Sequence, residues 1–205
     1  MKPISREFGL ERGEPVDRYY IEKFLDRHAA DIHGRVLEIG DDRYTKQYGG
    51  AKVAHSDVLN LTPHDPASTI VADLANADSV PSGAFDCLIV TQTLQFIYDL
   101  GTAVSHLHRI LKTGGVLLAT VPGISQISRY DMDRWGDFWR FTTLSARRLF
   151  QDRFLEANLT VEAYGNVLAA IAFLEGLASR ELTREELDHR DADYEVLISV
   201  RAVKA

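Results

Sequence analysis

Apolar segments of two lengths alternate along this chain. Short apolar runs predict buried strands at 36–39, 85–91, 116–121 and 159–164, and two further short strands that end in an acid are predicted at 53–57 and 69–73. Stretches with apolar residues at helical spacing predict helices after Pro15, over 100–112, after Thr142 or Thr143, and over 167–178. The segment 194–203 alternates apolar and polar side chains and is predicted to be a last strand.

Strands that alternate with helices are typical of an α/β fold with a largely parallel sheet. The connection 59–68 contains Pro63 and Pro66 and is rich in turn residues, so we expect its helix to be shortened or missing. The helix over 167–178 is apolar around most of its surface. This pattern predicts burial inside the monomer or against a second copy in a homodimer.

The composition favours a single domain. The chain has 205 residues, of which 45% are hydrophobic, enough for one core over 1–205. A net charge of -7 argues against binding to nucleic acid or an anionic membrane, because either needs a basic surface. The longest apolar run, 167–174, is too short to span a membrane, and residues 1–15 are too charged for a signal peptide. We therefore expect no membrane insertion and a cytoplasmic location.

Metal and disulfide chemistry find little support in the sequence. Cys87 is the single cysteine and lies in an apolar run, which excludes a disulfide framework and a cysteine metal cluster. His106 and His108 are two positions apart on a predicted helix and point to different sides of it. We therefore expect no metal site.

Polar residues at the ends of the first three predicted strands carry the candidate chemistry. Gly40 lacks a Cβ, so a ligand can approach its backbone closely, and Glu38 places a carboxylate beside that turn. Asp57 ends the second strand, where a carboxylate can accept both hydroxyls of a ribose. Asp73 ends the third strand and can do the same for an exocyclic amine of a base. Together these positions predict a small-molecule pocket at one edge of the sheet.

These segments resemble a known family. Leu37-Glu38-Ile39-Gly40, then Asp57, Asp73, Phe85-Asp86-Cys87-Leu88-Ile89-Val90-Thr91 and Leu111-Lys112-Thr113-Gly114-Gly115 are similar to the successive motifs of class I S-adenosylmethionine-dependent methyltransferases of the methyltransferase 11 type. The resemblance covers residues 34–122 in the right order and spacing.

The resemblance implies a fold and a cofactor. The fold is a Rossmann-like, seven-stranded, mostly parallel sheet with helices on both faces and an antiparallel last strand between strands five and six. The cofactor is S-adenosyl-L-methionine, and the residues implied to bind it are Glu38, Gly40, Asp57, Asp73, Leu74, Thr91 and Gln92. The first motif of the family usually contains two or three glycines. This chain departs from that pattern, since Gly40 is followed by Asp41-Asp42-Arg43-Tyr44.

The segment 123–141 is the most distinctive stretch and is predicted to form a substrate lid. It places both tryptophans among acids, arginines and a tyrosine just beyond a strand end, a combination that suits a sugar or a phenol. The predicted substrate-binding residues are Gln95, Arg129, Trp135, Trp139 and Arg140. The candidate catalytic residues are Asp131 and Asp133 as general bases, with Tyr130 behind them. The alternative for each aromatic residue is that it anchors the loop to the core.

Three functions compete. The first is methyl transfer from S-adenosylmethionine to a small-molecule hydroxyl, by analogy that of a sugar or natural product. The second is a degenerate methyltransferase fold that acts as a partner subunit without catalysis, using the apolar helix at 167–178. The third, a nicotinamide-dependent oxidoreductase, lacks the Gly-x-Gly-x-x-Gly phosphate turn. If the protein is a methyltransferase, we expect a helical lead at 1–33 and a helical insertion at 166–190 to flank the catalytic core.

Overall fold

The strands form one sheet in the order β3-β2-β1-β4-β5-β7-β6 in the computed structural model, which describes residues 2–63 and 66–205. Their bounds are β1 Gly34–Ile39, β2 Val53–Asn60, β3 Ile70–Val71, β4 Phe85–Thr91, β5 Leu111–Pro122, β6 Leu159–Tyr164 and β7 Leu197–Val203. The first five strands pair in parallel, and β7 runs antiparallel to both β5 and β6. The predicted Rossmann-like sheet with an antiparallel last strand is therefore confirmed.

Helices cover both faces of this sheet. Their bounds are α1 Val16–Arg27, α2 Leu100–Ile110, α3 Arg129–Met132, α4 Thr143–Gln151, α5 Val167–Glu175 and α6 Arg184–Asp188. On one face, α2 and α4 contribute Leu107 and Phe150 to the same apolar cluster as Leu88. On the other face, α1 and α5 share a second cluster with Ile89. Within the described residues, none of these helices is both long and apolar enough to span a bilayer.

Five strands differ in length from the prediction. β1 begins at Gly34, β5 begins at Leu111, where the predicted helix over 100–112 was expected to continue, and β7 begins at Leu197. β2 continues to Asn60, because Val58 and Leu59 are buried and pair with the end of β1. The strand predicted to reach Asp73 is limited to Ile70–Val71. As a result, Asn60 rather than Asp57 lies at the carboxyl end of β2.

The connections beside the edge of the sheet are short. The chain between β1 and β2 contains the one-turn segments Thr45–Gly49 and Gly50–Lys52. The described parts of the next connection, 61–63 and 66–69, are not helical, in agreement with the turn-rich sequence. Parallel strands are usually joined by a longer helical crossover, so this side of the sheet is a reduced version of the common arrangement.

The apolar helix α5 is buried on one face only. It ends at Gly176, whose left-handed backbone (φ +76°) closes the last turn. Ala169 and Phe173 face the core, whereas an apolar stripe lies exposed: Val167, Leu168, Ile171 and Leu174, each 42–55% accessible. The expectation that most of its surface is buried is wrong for the single chain, because only one face of α5 meets α1 and the sheet. A homodimer through this stripe stays a prediction.

Candidate functional site

The turn after β1 leaves room for a ligand. Gly40 follows the last residue of β1 and has a φ of +92°, a conformation that favours glycine. Its N–H donates to the carbonyl of Leu59 at 3.1 Å, and its own carbonyl accepts from Nδ2 of Asn60 at 3.1 Å. A Cβ at Gly40 would have no atom within 4 Å. The backbone at this tip is therefore fixed by β2 and open on the side where a side chain would stand.

Glu38 holds the loop that follows. Its buried carboxylate accepts the N–H of Tyr44 at 3.1 Å, and both the N–H and the hydroxyl of Thr45 at 2.7 Å. These hydrogen bonds fix the backbone of the loop that follows Gly40. Burial raises the pKa of Glu38 from 4.5 to about 7, and the bonds from Thr45 and Tyr44 oppose that rise. Through these hydrogen bonds, Glu38 fixes the position of the loop that follows Gly40.

The raised pKa of Glu38 predicts a pH-dependent stability. Because the folded protein binds this proton more tightly than the unfolded chain, stability is highest below the ordinary value of 4.5 and decreases as the pH rises to about 7. Relative to Glu38→Gln, we expect the free energy of unfolding of the wild type to fall by about 2–3 kcal/mol over this range. Urea denaturation at pH 5 and pH 8 measures this difference. Parallel pH profiles for the two proteins would contradict it.

Asp57 does not reach the tip of β2. It lies opposite Leu37, inside the pairing of β1 and β2. Its carboxylate accepts from Nε of Arg35 at 2.7 Å and from Oγ1 of Thr69 at 3.0 Å. Burial acts to raise its pKa, but these two partners outweigh that effect and lower it. The expectation that the tips at Gly40, Asp57 and Asp73 meet is wrong at Asp57, since β2 extends past it and places Asn60 beside Gly40.

The remaining predicted cofactor residues lie along the same edge. Asp73 is exposed and accepts the N–H of Ala75 at 2.8 Å, while Leu74 beside it is buried in the core. Thr91 is the last residue of β4. Gln92 follows with a φ of +47°, unusual for a residue with a side chain. Such strain is retained where the surroundings enforce it, and here the Gln92 N–H donates to the carbonyl of Thr120 at 3.0 Å.

A cavity of about 150 Å³ lies between the start of α1, the end of β4 and the segment after β5. Phe8, Phe96 and Phe173 contribute apolar wall. The wall also contains the predicted site residues Gln92, Gln95, Asp131 and Arg140. Three further charged residues lie there too: Asp17, Arg18 and Asp137.

Asp137 and Arg140 hold together the segment 123–141, which was predicted to be a lid. Two hydrogen bonds join the Asp137 carboxylate to the guanidinium of Arg140, at 2.6 and 2.9 Å, and Arg140 also donates to the carbonyl of Gln126 at 2.5 Å. Asp137 accepts the N–H of Ser128 at 3.0 Å as well, and its side chain is 1% exposed. Although burial acts to raise the pKa of Asp137, Arg140 and the Ser128 N–H lower it. This pair fixes the lid segment against the cavity.

Asp131 lies in the segment 123–141 and forms part of the cavity wall. It lies in α3, and its Oδ2 accepts the hydroxyl of Ser128 at 2.5 Å. Asp133 and Arg129, by contrast, are exposed and lie outside the cavity wall. Of the two candidate bases, the structure therefore brings only Asp131 to the cavity.

The aromatic residues of the lid divide into two groups. Trp139 donates its indole N–H to the carbonyl of Ile97 at 3.0 Å and stacks on Tyr98 with ring centres 5.7 Å apart. Trp135 and Tyr130 are exposed and contact each other edge to face at 6.1 Å, outside the cavity wall. In this structure Trp139 anchors the lid, and the substrate role predicted for both tryptophans stays a prediction.

Two cavity residues had weak signals in the sequence. Asp17 is an acid in the first turn of α1, a position that usually serves only the helix dipole. Asp137 precedes Arg140 by three positions, the spacing of a local ion pair. Neither pattern distinguishes a cavity residue from a surface residue. Among the described residues, no group of three or more His, Cys, Asp or Glu side chains is arranged to hold a metal ion.

Comparison with known proteins agrees with this geometry. The family model Methyltransf_11, a methyltransferase domain, matches residues 23–119. A search of curated proteins finds no match.

Solved structures share the fold. An S-adenosylmethionine-dependent methyltransferase from Archaeoglobus fulgidus is 12% identical, with 91% of this chain and 94% of that chain covered and a TM-score of 0.59. The N-methyltransferase NodS from Bradyrhizobium japonicum, in complex with S-adenosylhomocysteine, is 14% identical, with 94% and 90% covered and a TM-score of 0.56. Phosphoethanolamine N-methyltransferase 2 from Haemonchus contortus, in complex with S-adenosylmethionine, is 15% identical with a TM-score of 0.58, and 91% of this chain matches 52% of that chain.

At 12–15% identity these structures show a shared fold, and the family model matches residues 23–119. Residues 23–119 are therefore similar to a methyltransferase domain, and the chain has the fold of the class I S-adenosylmethionine-dependent methyltransferases.

Proposed function

We propose that this protein binds S-adenosylmethionine at the carboxyl edge of β1, β2 and β4 and transfers its methyl group to a small molecule held in the cavity. The observation that carries this proposal is Gly40. Its backbone is fixed by β2, its φ is +92°, and no atom lies within 4 Å of where a Cβ would stand. A ligand can therefore approach the main chain closely at Gly40. Gly40 lies at the carboxyl edge of the sheet, which is where ligands bind in open α/β sheets.

The residues at this edge fit the proposed cofactor. Gly40 and Asn60 lie beside one another, joined by the hydrogen bond from Asn60 Nδ2 to the Gly40 carbonyl, and Asp73, Thr91 and Gln92 continue the polar edge. Two of the solved relatives contain S-adenosylmethionine or S-adenosylhomocysteine. Asp57, held by Arg35 and Thr69, contributes by supporting β2 rather than by direct contact.

The proposed reaction requires little covalent catalysis by the protein. When bound, S-adenosylmethionine supplies a methyl group on a positively charged sulfur, which is already a good electrophile. The chain has to orient the acceptor, exclude water and remove a proton if the acceptor is a hydroxyl. Asp131 is the residue we assign to accept that proton, because it is the candidate base in the cavity wall. The lid supported by Asp137 and Arg140 keeps this carboxylate in place.

The finer proposal for the acceptor is a hydroxyl of a sugar or phenol. It is supported by the aromatic part of the cavity wall, which suits a ring, together with a carboxylate that can accept a proton. The competing function is a partner subunit without catalysis. It is favoured by the exposed stripe of α5 and by the loop after Gly40, where Tyr44 is buried against the core.

Titration calorimetry with S-adenosylhomocysteine separates these functions. The wild type is expected to bind it with measurable heat and to give none with NAD⁺. Gly40→Ala is expected to weaken binding at least tenfold, because a methyl group enters the open space at the strand tip. Gly114→Ala is the matched control, since Gly114 also has a positive φ (+79°) and open space but precedes the buried part of β5 at the opposite edge. A partner subunit predicts no heat with the wild type.

A further inference from the structure

The cavity contains two buried hydrogen-bond acceptors that lack a donor. Among the residues that the structure describes, Oδ1 of Asp17 and Oε1 of Gln95 are shielded from solvent and have no hydrogen-bond partner. Both side chains line the cavity between α1 and the end of β4. An unpaired buried acceptor destabilises a fold, and a charged one more so. Two such atoms on the wall of one cavity indicate a ligand with hydrogen-bond donors.

The orientation of Gln95 is fixed by its neighbour. Gln95 is 5% exposed, and its Nε2 donates to Oε1 of Gln92 at 3.1 Å. That bond uses one of the two N–H groups of the amide nitrogen and leaves the carbonyl oxygen without a donor among the described residues. Gln92 is held in turn by its strained backbone at φ +47°. The Gln95 group that remains to be satisfied is therefore an acceptor.

Asp17 is electrostatically attracted by Arg18, but one oxygen of its carboxylate receives no hydrogen bond from the described residues. Asp137 is paired with Arg140, and Asp131 accepts the hydroxyl of Ser128. Arg18 follows Asp17 in the chain, but its Nη1 donates to the hydroxyl of Tyr44 at 3.1 Å. The carboxylate of Asp17 is thus the acid in this wall whose Oδ1 lacks a donor.

We propose that Asp17 and Gln95 bind an amino group of the ligand in this cavity, with Oδ1 and Oε1 accepting its N–H bonds. A protonated amine provides up to three donors and a positive charge, which matches one carboxylate oxygen and one amide oxygen. The neighbouring Phe8, Phe96 and Phe173 add aromatic surface, which also attracts cations. A hydroxyl group could also donate to one of these oxygens, but it would bring no positive charge to Asp17.

This inference rests on the proposed function, and the amino group has two sources. One is the amino group at the methionine end of the cofactor. The other is an amine on the acceptor, which would make the acceptor class amines; such an amine would have to lose a proton, for which Asp131 is the base in the cavity wall, before its nitrogen could accept the methyl group. Both present the same chemistry to Asp17 and Gln95, so the probes have to separate them.

The test compares Asp17→Asn and Gln95→Met with the wild type by calorimetry. S-adenosylhomocysteine carries the amino group and 5′-methylthioadenosine lacks the amino acid end. 2-Phenylethylamine and 2-phenylethanol, added in the presence of S-adenosylhomocysteine, differ only in amine against hydroxyl. Ser56→Ala is the matched control, since Ser56 also has a buried hydroxyl without a partner among the described residues but lies on β2, outside the cavity wall.

Each outcome decides the inference. Binding of S-adenosylhomocysteine weakened at least tenfold in both cavity variants, with 5′-methylthioadenosine unchanged, assigns the cofactor's amino group. A tenfold loss confined to 2-phenylethylamine assigns an amine acceptor. Unchanged affinity for all four probes overturns the inference. A wild type that does not bind S-adenosylhomocysteine overturns the proposed function instead.

Thermal unfolding without ligand distinguishes binding from structural support. Asp17→Asn removes a buried charge whose Oδ1 has no donor among the described residues, so we expect a melting temperature equal to or above that of the wild type. Weaker binding together with retained stability supports a ligand role. A lower melting temperature, with equal loss of affinity for every probe, would show that Asp17 supports the fold, and it would overturn the inference.

Discussion

Asp131→Asn is expected to lower the rate of methyl transfer to a phenolic hydroxyl about 100-fold, because positioned general bases contribute at least that factor. The asparagine keeps the shape of the side chain but cannot take the proton. Asp131 lies in the cavity wall, and Ser128 holds its Oδ2 at 2.5 Å. The rate is measured as release of S-adenosylhomocysteine at saturating cofactor. Affinity for S-adenosylhomocysteine, measured by calorimetry, is expected to be unchanged.

Asp133→Asn discriminates between the two candidate bases. Asp133 is exposed and lies outside the cavity wall, so its variant is expected to keep the wild-type rate. A loss of rate in Asp133→Asn together with a normal rate in Asp131→Asn would move the role of base to Asp133. Normal rates in both variants would show that the acceptor needs no base from this part of the lid.

Asp137→Asn is expected to lower the free energy of unfolding by about 3 kcal/mol, since it leaves the guanidinium of Arg140 without its buried partner. The Asp137 side chain is 1% exposed and binds Arg140 through both oxygens. Arg140→Met is expected to have an effect of the same size. Urea denaturation of the single variants and of the double variant measures the coupling between the two side chains.

The double variant distinguishes a buried pair from two separate contributions. Because removing both charges leaves neither unpaired, Asp137→Asn with Arg140→Met is expected to cost less than the two single effects added together. Additive effects would contradict the coupling. The exposed pair of Arg147 and Glu156, at 34% and 59% accessibility, is the control, and Arg147→Met should cost less than 1 kcal/mol.

The sheet was predictable because β4 and most of β5 are buried and appear as continuous apolar runs. The position of Asp57 was not predictable, because the two apolar residues that follow it, Val58 and Leu59, are too few to show from the sequence that the strand continues. Only the pairing of Val58 and Leu59 with β1 shows that the strand continues. The side chain beside Gly40 is consequently Asn60, which the sequence did not single out.

The lid was identified by its position and aromatic content, but its internal roles depend on tertiary contacts. Trp135 and Trp139 are equivalent by composition, yet only Trp139 reaches Tyr98 and the carbonyl of Ile97. Asp17 was missed for a related reason. Its importance comes from a cavity formed with β4 and the lid, and these segments are distant from α1 in the sequence.

The most direct test of cofactor binding at this edge is a crystal structure of the protein with S-adenosylhomocysteine. We expect the ligand to lie along the carboxyl ends of β1, β2 and β4. Its homocysteine part should contact the backbone of Gly40, and its adenosine should lie next to Asn60 and Asp73. Density for the ligand elsewhere on the chain, or a ligand separated from Gly40 by the loop 41–44, would contradict the proposed function.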